Sequence, residues 1–153
     1  MDKKFSQIYL IVHAIYGAAV LYALIVFSGL MSIKPVMEEQ QDLLFMVFMA
    51  ASLGTFPLSM VIGQKQMGSG RLEGLIQRGA KNSEEEISAA VSSIQAGAIV
   101  MAACGESIGV FGLVYAFLTG DSGRALFFFG LTAVHYVTTL MKLGAVRGQF
   151  GRL

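Results

Sequence analysis

The sequence predicts an all-α fold, a single-domain bundle of four transmembrane helices with both termini in the cytoplasm. Of its 153 residues, 55% are hydrophobic and only 14% are charged, which is too few charges to cover the surface of a water-soluble domain. The apolar residues are grouped in four long blocks, and the Lys and Arg residues cluster at alternate ends of those blocks. Together these three observations indicate an integral membrane protein.

The four blocks predict helices over about 8–31, 43–63, 87–118 and 125–143. A helix rises about 1.5 Å per residue, so about 20 apolar residues cross a hydrocarbon core that is about 30 Å thick. The first block is longer than the apolar region of a signal peptide, and no clear small-residue cleavage site follows it, so we expect a retained helix. The expected surroundings are the lipid bilayer of a plasma or inner membrane.

Cytoplasmic ends of membrane helices are enriched in Lys and Arg. The loops after the first and third blocks carry few such residues, Lys34 and Arg124, both near acidic residues. This alternation predicts cytoplasmic termini and a cytoplasmic loop over about 64–86. Net charge is +1, which does not suggest a nucleic-acid partner. The other ends carry most of the basic residues: Lys3, Lys4, Lys65, Arg71, Arg78, Lys81, Lys142, Arg147 and Arg152.

The third block contains a regular stripe of small residues, spaced alternately four and three apart so that they share one helix face. Small residues let membrane helices approach closely, so the stripe predicts a packing seam. The seam is expected to meet another helix of this chain, other membrane subunits, or a second copy in a homo-oligomer. Its members are Ala98, Ala102, Gly105, Gly109, Gly112 and Ala116.

Glu106 lies at the edge of this seam, near the middle of the third predicted helix. An ionised carboxylate at the centre of a bilayer costs at least about 2.5 kcal/mol, and a buried acid avoids that cost by taking up a proton or by pairing. No Lys or Arg is expected at the same depth. Glu106 is therefore the candidate site for a proton or a cation, although an acid that only holds helices together would look the same in sequence.

The segment around Glu106 resembles the proteolipid ring subunit (c subunit) of rotary ATPases, most closely the archaeal and vacuolar type. The resemblance covers about residues 103–118, where Glu106 is followed at the family's offsets by Val110, Phe111, Gly112, Leu113, Val114 and Ala116, with Ser107 and Gly109 also fitting the pattern. It implies that Glu106 is the proton or sodium carrier of an ion-translocating component.

The two histidines, His13 and His135, fall in the first and fourth predicted helices, at depths of about 8 and about 10 Å by helical rise. Two histidines at matched depth are compatible with a b-type haem held between them or with a proton relay to Glu106. They are also compatible with separate hydrogen bonds inside the bundle. That last interpretation is favoured by the hydroxyl groups near His135, which belong to Thr132, Thr138 and Thr139.

No nucleophile with a positioned base, phosphate-binding loop or metal-ligand cluster stands out, and Cys104 is the single cysteine, so we expect no metal site and no catalytic chemistry of the chain's own. Three hypotheses follow. The first is an ion-translocating component that uses Glu106. The others are a non-transporting structural or assembly subunit of a membrane complex, and a haem-binding membrane anchor.

Overall fold

A computed structural model describes residues 2–28, 36–67 and 84–150 of the chain. Within them lie four long helices: α1 (Asp2–Phe27), α2 (Gln41–Met67), α3 (Glu84–Thr119) and α4 (Ser122–Phe150). A short 3-10 helix, Glu38–Gln40, precedes α2. The all-α prediction is confirmed, and each of the four helices is long and apolar enough to cross a membrane.

The first helix ends at Phe27, so Ser28 of its predicted range is not helical. Elsewhere the helices extend past the apolar blocks that predicted them, because polar residues at the block ends remain helical. Residues 64–67 and 84–86, predicted as loop, belong to α2 and α3. The rest of the predicted 64–86 loop lies outside the described residues, as do residues 29–31 of the first predicted helix. The cytoplasmic assignment of that loop stays a prediction.

The turn between α3 and α4 shows why the chain reverses there. Gly120 has a φ of 73°, the left-handed conformation that commonly ends a helix and that glycine adopts without steric cost. Asp121 then caps α4, because its Oδ1 accepts a hydrogen bond of 2.9 Å from the Arg124 backbone N–H. This turn places α3 and α4 antiparallel and side by side.

Helix α3 lies at the centre and touches each of the other three helices at a glycine. A Cβ on Gly97 would lie 2.8 Å from Met67 of α2, one on Gly109 would lie 3.0 Å from Ala19 of α1, and one on Gly112 would lie 2.9 Å from Phe128 of α4. These approaches leave little or no room for a side chain at the three positions. All six members of the small-residue seam are buried inside the chain.

The seam therefore packs against the chain's own helices, and that face is not available to a second copy. The outer surface is apolar instead, with large side chains such as Leu10 and Met141 each 71% exposed. An apolar exterior of this kind is expected of a surface in contact with lipid. Four candidate spans with such a surface indicate an integral membrane protein.

Candidate functional site

Glu106 is half-buried on α3, where it faces α1. The hydroxyl of Tyr22 on α1 donates a hydrogen bond of 2.7 Å to Glu106 Oε1. Among the described residues, no Lys, Arg or His forms an ion pair with this carboxylate. The sequence did not predict this phenol partner.

The position of Glu106 along α3 can be measured from the turn that follows the helix. Glu106 precedes the last residue, Thr119, by 13 positions, which is about 20 Å of helix. Just beyond that helix end, Arg124 forms a 2.5 Å ion pair with Asp42 of α2 and a 3.4 Å pair with Asp121. The carboxylate thus lies well inside the apolar length of the bundle, away from the charged turn.

A second polar cluster surrounds His135 of α4, which is fully buried. Its Nδ1 lies 2.6 Å from the Tyr16 hydroxyl on α1, and its Nε2 lies 2.6 Å from the Ser59 hydroxyl on α2. Thr139, one turn further along α4, lies 3.1 Å from the Tyr16 hydroxyl. One imidazole therefore connects three helices through both ring nitrogens.

The hydroxyls in this cluster suggest which nitrogen carries the proton in neutral His135. Ser59 Oγ donates a hydrogen bond of 2.8 Å to the Phe56 carbonyl. Because this uses the one hydrogen of the hydroxyl, Ser59 Oγ accepts a hydrogen bond from His135 Nε2–H. Nδ1 then accepts from the Tyr16 hydroxyl. Every polar atom of the ring is satisfied in this way, as buried polar groups require.

Gly105 of α3, the remaining helix, closes the cluster. A Cβ at this position would collide with the Tyr16 hydroxyl and would lie 2.6 Å from His135 Nδ1. The backbone of α3 therefore covers the Tyr16–His135 hydrogen bond, and the next residue along it is Glu106. Among the described residues, however, the hydrogen-bond partners of Glu106 and of His135 do not overlap, so the structure does not connect the two groups in the proposed relay.

His13 has a different environment from His135. It is exposed, its Nδ1 lies 2.6 Å from the Tyr9 carbonyl, and its ring meets the edge of Tyr136 at 5.7 Å between centroids. A haem held by two histidines needs a free nitrogen of each ring turned toward the iron. Both nitrogens of His135 are occupied and α3 closes the space beside it, so the two histidines do not fit a shared haem.

The three threonines predicted as partners of His135 differ in what they contact. Thr139 lies beside the ring, and its hydroxyl donates a hydrogen bond of 2.9 Å to the His135 carbonyl. Thr132 and Thr138 instead donate to the carbonyls four residues earlier, those of Phe128 and Val134. Sequence reasoning missed Tyr16 and Ser59. The available signal was a hydroxyl inside an otherwise apolar span, because such a group can form a hydrogen bond across helices.

Within the described ranges, no three His, Cys, Asp or Glu residues lie close enough together to hold a metal ion. Comparison of the chain with protein-family models, with curated proteins and with solved structures gives no match. Evidence for function therefore comes from the chain's own residues.

Proposed function

We propose that this integral membrane protein binds and releases a proton at Glu106 in the middle of the bilayer, as part of a proton-translocating component. The observation that supports the proposal is the half-buried Glu106 carboxylate, which is hydrogen-bonded to the Tyr22 hydroxyl. Among the described residues, no cationic side chain pairs with it. Ionisable groups inside membrane spans are expensive to keep there and usually mark proton or ion pathways.

The Tyr22 hydroxyl suits both protonation states of the acid. When Glu106 is ionised, the phenol donates to the carboxylate, as in the 2.7 Å contact. When Glu106 is protonated, the carboxyl group becomes a donor and the phenol oxygen can accept. The pair therefore keeps one hydrogen bond in each state, so protonation need not break the contact between α1 and α3.

The same geometry favours a proton over a metal cation. Hard cations bound by proteins take a shell of several oxygen ligands. Among the described residues, Glu106 has one hydroxyl partner, and the neighbouring Ser107 hydroxyl donates to the Cys104 carbonyl at 2.7 Å. Two protein oxygens can share a proton, but they would leave a dehydrated cation with most of its shell unfilled.

The proposal includes a topology in a plasma or inner membrane. The three helix ends that carry Lys4, Lys65, and Lys142 with Arg147 face the cytoplasm in this topology. The resemblance of residues 103–118 to the rotary ATPase proteolipid subunit supports the proposal, because it implies that Glu106 carries a proton or a sodium ion. Ring assembly through the small-residue seam is not part of the proposal, because α1, α2 and α4 already occupy that face.

A specific observation favours one rival, a structural or assembly subunit that does not translocate ions. The Tyr22–Glu106 hydrogen bond joins residues 84 positions apart, so it ties α1 to α3 whatever else it does. Under this alternative, the Glu106 carboxyl group would be buried in the contact between α1 and α3 and would exchange no proton.

Labelling by dicyclohexylcarbodiimide separates the two functions, because the reagent reacts with protonated carboxyl groups in apolar sites. Native membranes would be labelled across a pH series, and the modified residue located by mass spectrometry. We expect Glu106 to be labelled within this pH series. Glu85, exposed at the start of α3, is the comparison carboxylate, and Glu106→Gln is the negative control. A folded protein whose Glu106 stays unlabelled at every pH would overturn the proton-site proposal.

A further inference from the structure

A pocket of about 460 Å³ opens between the ends of α2 and α4, at the end of the bundle where α1 begins. Two lysines, Lys65 and Lys142, line it together with two glutamines. The remaining lining comes from Met67, Ala145 and Val146. The pocket therefore combines cationic and amide groups with an apolar wall.

The lysines are not neutralised by the part of the chain that the structure describes, where neither forms an ion pair with a carboxylate. Each ammonium group presents three donors and a positive charge, and an amide adds further donors. Such a set fits an anion with several oxygens. Met67 is buried, and Val146 half-buried, beside the same opening, so the wall also offers contact to a hydrocarbon chain.

We propose that this pocket binds the phosphate headgroup of an anionic phospholipid, with Lys65 and Lys142 holding the phosphate and an acyl chain lying against Val146. Both lysines lie near the ends of predicted spans, and span ends lie at the depth of the lipid headgroups. Basic pockets between membrane helices at this depth are suited to acidic lipids. The pocket is separate from Glu106, and the inference does not depend on the proposed proton site.

Free phosphate presents the same oxygens, but it would leave the apolar wall uncovered. The lipid proposal therefore predicts that phosphatidylglycerol stabilises the protein much more than inorganic phosphate does. It also predicts that the stabilisation by phosphatidylglycerol weakens as salt is added, because salt screens the attraction between the lysines and the phosphate.

The test is the thermal unfolding midpoint of the purified full-length protein in a zwitterionic detergent, with added phosphatidylglycerol, phosphatidylcholine or inorganic phosphate. We expect phosphatidylglycerol alone to raise the midpoint by several degrees. The rise should disappear in the double variant Lys65→Gln/Lys142→Gln. It should persist in Lys4→Gln, which removes an exposed lysine at the same end of the bundle but outside the pocket.

The double variant Lys65→Arg/Lys142→Arg keeps both charges and should retain most of the rise. It is the control for loss of the rise in the Gln double variant through misfolding alone. An equal rise with phosphatidylcholine would overturn the proposal, as would a rise of the same size with inorganic phosphate. Retention of the full effect in the Gln double variant would also overturn it, and would indicate that the lysines serve only the helix ends.

Discussion

The Tyr22 hydroxyl on α1 lies 2.7 Å from Oε1 of Glu106 on α3. This contact gives the only carboxylate in the interior of the described spans a neutral hydrogen-bond donor in place of a cation. A charged partner would hold the acid permanently ionised, whereas a phenol allows either state. The pair is therefore the first target for mutagenesis.

Tyr22→Phe should remove the donor with little change in volume. We expect a loss of about 0.6 kcal/mol in the free energy of unfolding, the average measured for hydrogen bonds between membrane helices. A double-mutant cycle with Glu106→Leu, which has no acceptor for the Tyr22 hydroxyl, measures the coupling. A coupling free energy of zero would show that the two groups do not interact.

His135→Ala should destabilise the bundle strongly. The change leaves the Tyr16 and Ser59 hydroxyls without a buried partner and opens a cavity between α1, α2 and α4. We expect a loss of about 2 to 4 kcal/mol in the free energy of unfolding. The matched control is His13→Ala, which removes an exposed ring bonded to a backbone carbonyl and should change stability by less than about 0.5 kcal/mol. Equal effects of the two variants would contradict the structural role of the His135 cluster.

Gly105→Ala adds one methyl group where the Tyr16 hydroxyl and His135 Nδ1 leave no room. We expect a loss of about 1 to 3 kcal/mol, the usual cost of overpacking, read from thermal or denaturant unfolding. Gly130→Ala is the control, since a Cβ at that exposed position of α4 meets nothing within 4 Å. It should be neutral or stabilise the helix by up to about 1 kcal/mol. Stabilisation by both changes would show that α3 does not approach so closely.

The topology can be tested by cysteine labelling in a Cys104→Ser background. Glu39→Cys, in the 3-10 helix before α2, should react with a membrane-impermeant maleimide added to intact cells. Glu85→Cys, at the opposite end of the bundle, should react only after the membrane is made permeable. Both side chains are exposed, so access depends on the side of the membrane. The reverse pattern would place the termini outside the cytoplasm.

The four helices could be predicted because their evidence is local. A run of about 20 apolar residues suffices to indicate a span, and the position of Glu106 within one run follows from counting. The seam on α3 could also be recognised, since small residues three and four apart must share a face. Which surface the seam meets could not be decided from α3 alone.

The hydrogen-bond partners required the tertiary structure. The contacts of His135 with Ser59 and Tyr16 join residues 76 and 119 positions apart, and no periodicity within one helix reports such a pair. Tyr16 and Tyr22 both lie on α1, yet one meets His135 and the other meets Glu106 because they project from different sides of the helix.

The sequence by itself determined that the chain forms four apolar helices and that one of them carries an acid far from its charged ends. The bilayer's thickness and the helical rise make those properties readable from composition and spacing. Only the tertiary structure decided that α3 is central, that its seam is filled by α1, α2 and α4, and that Tyr22 is the partner of Glu106. Those outcomes depend on how helices rotate and approach one another, and that geometry is set by side-chain packing between distant parts of the chain.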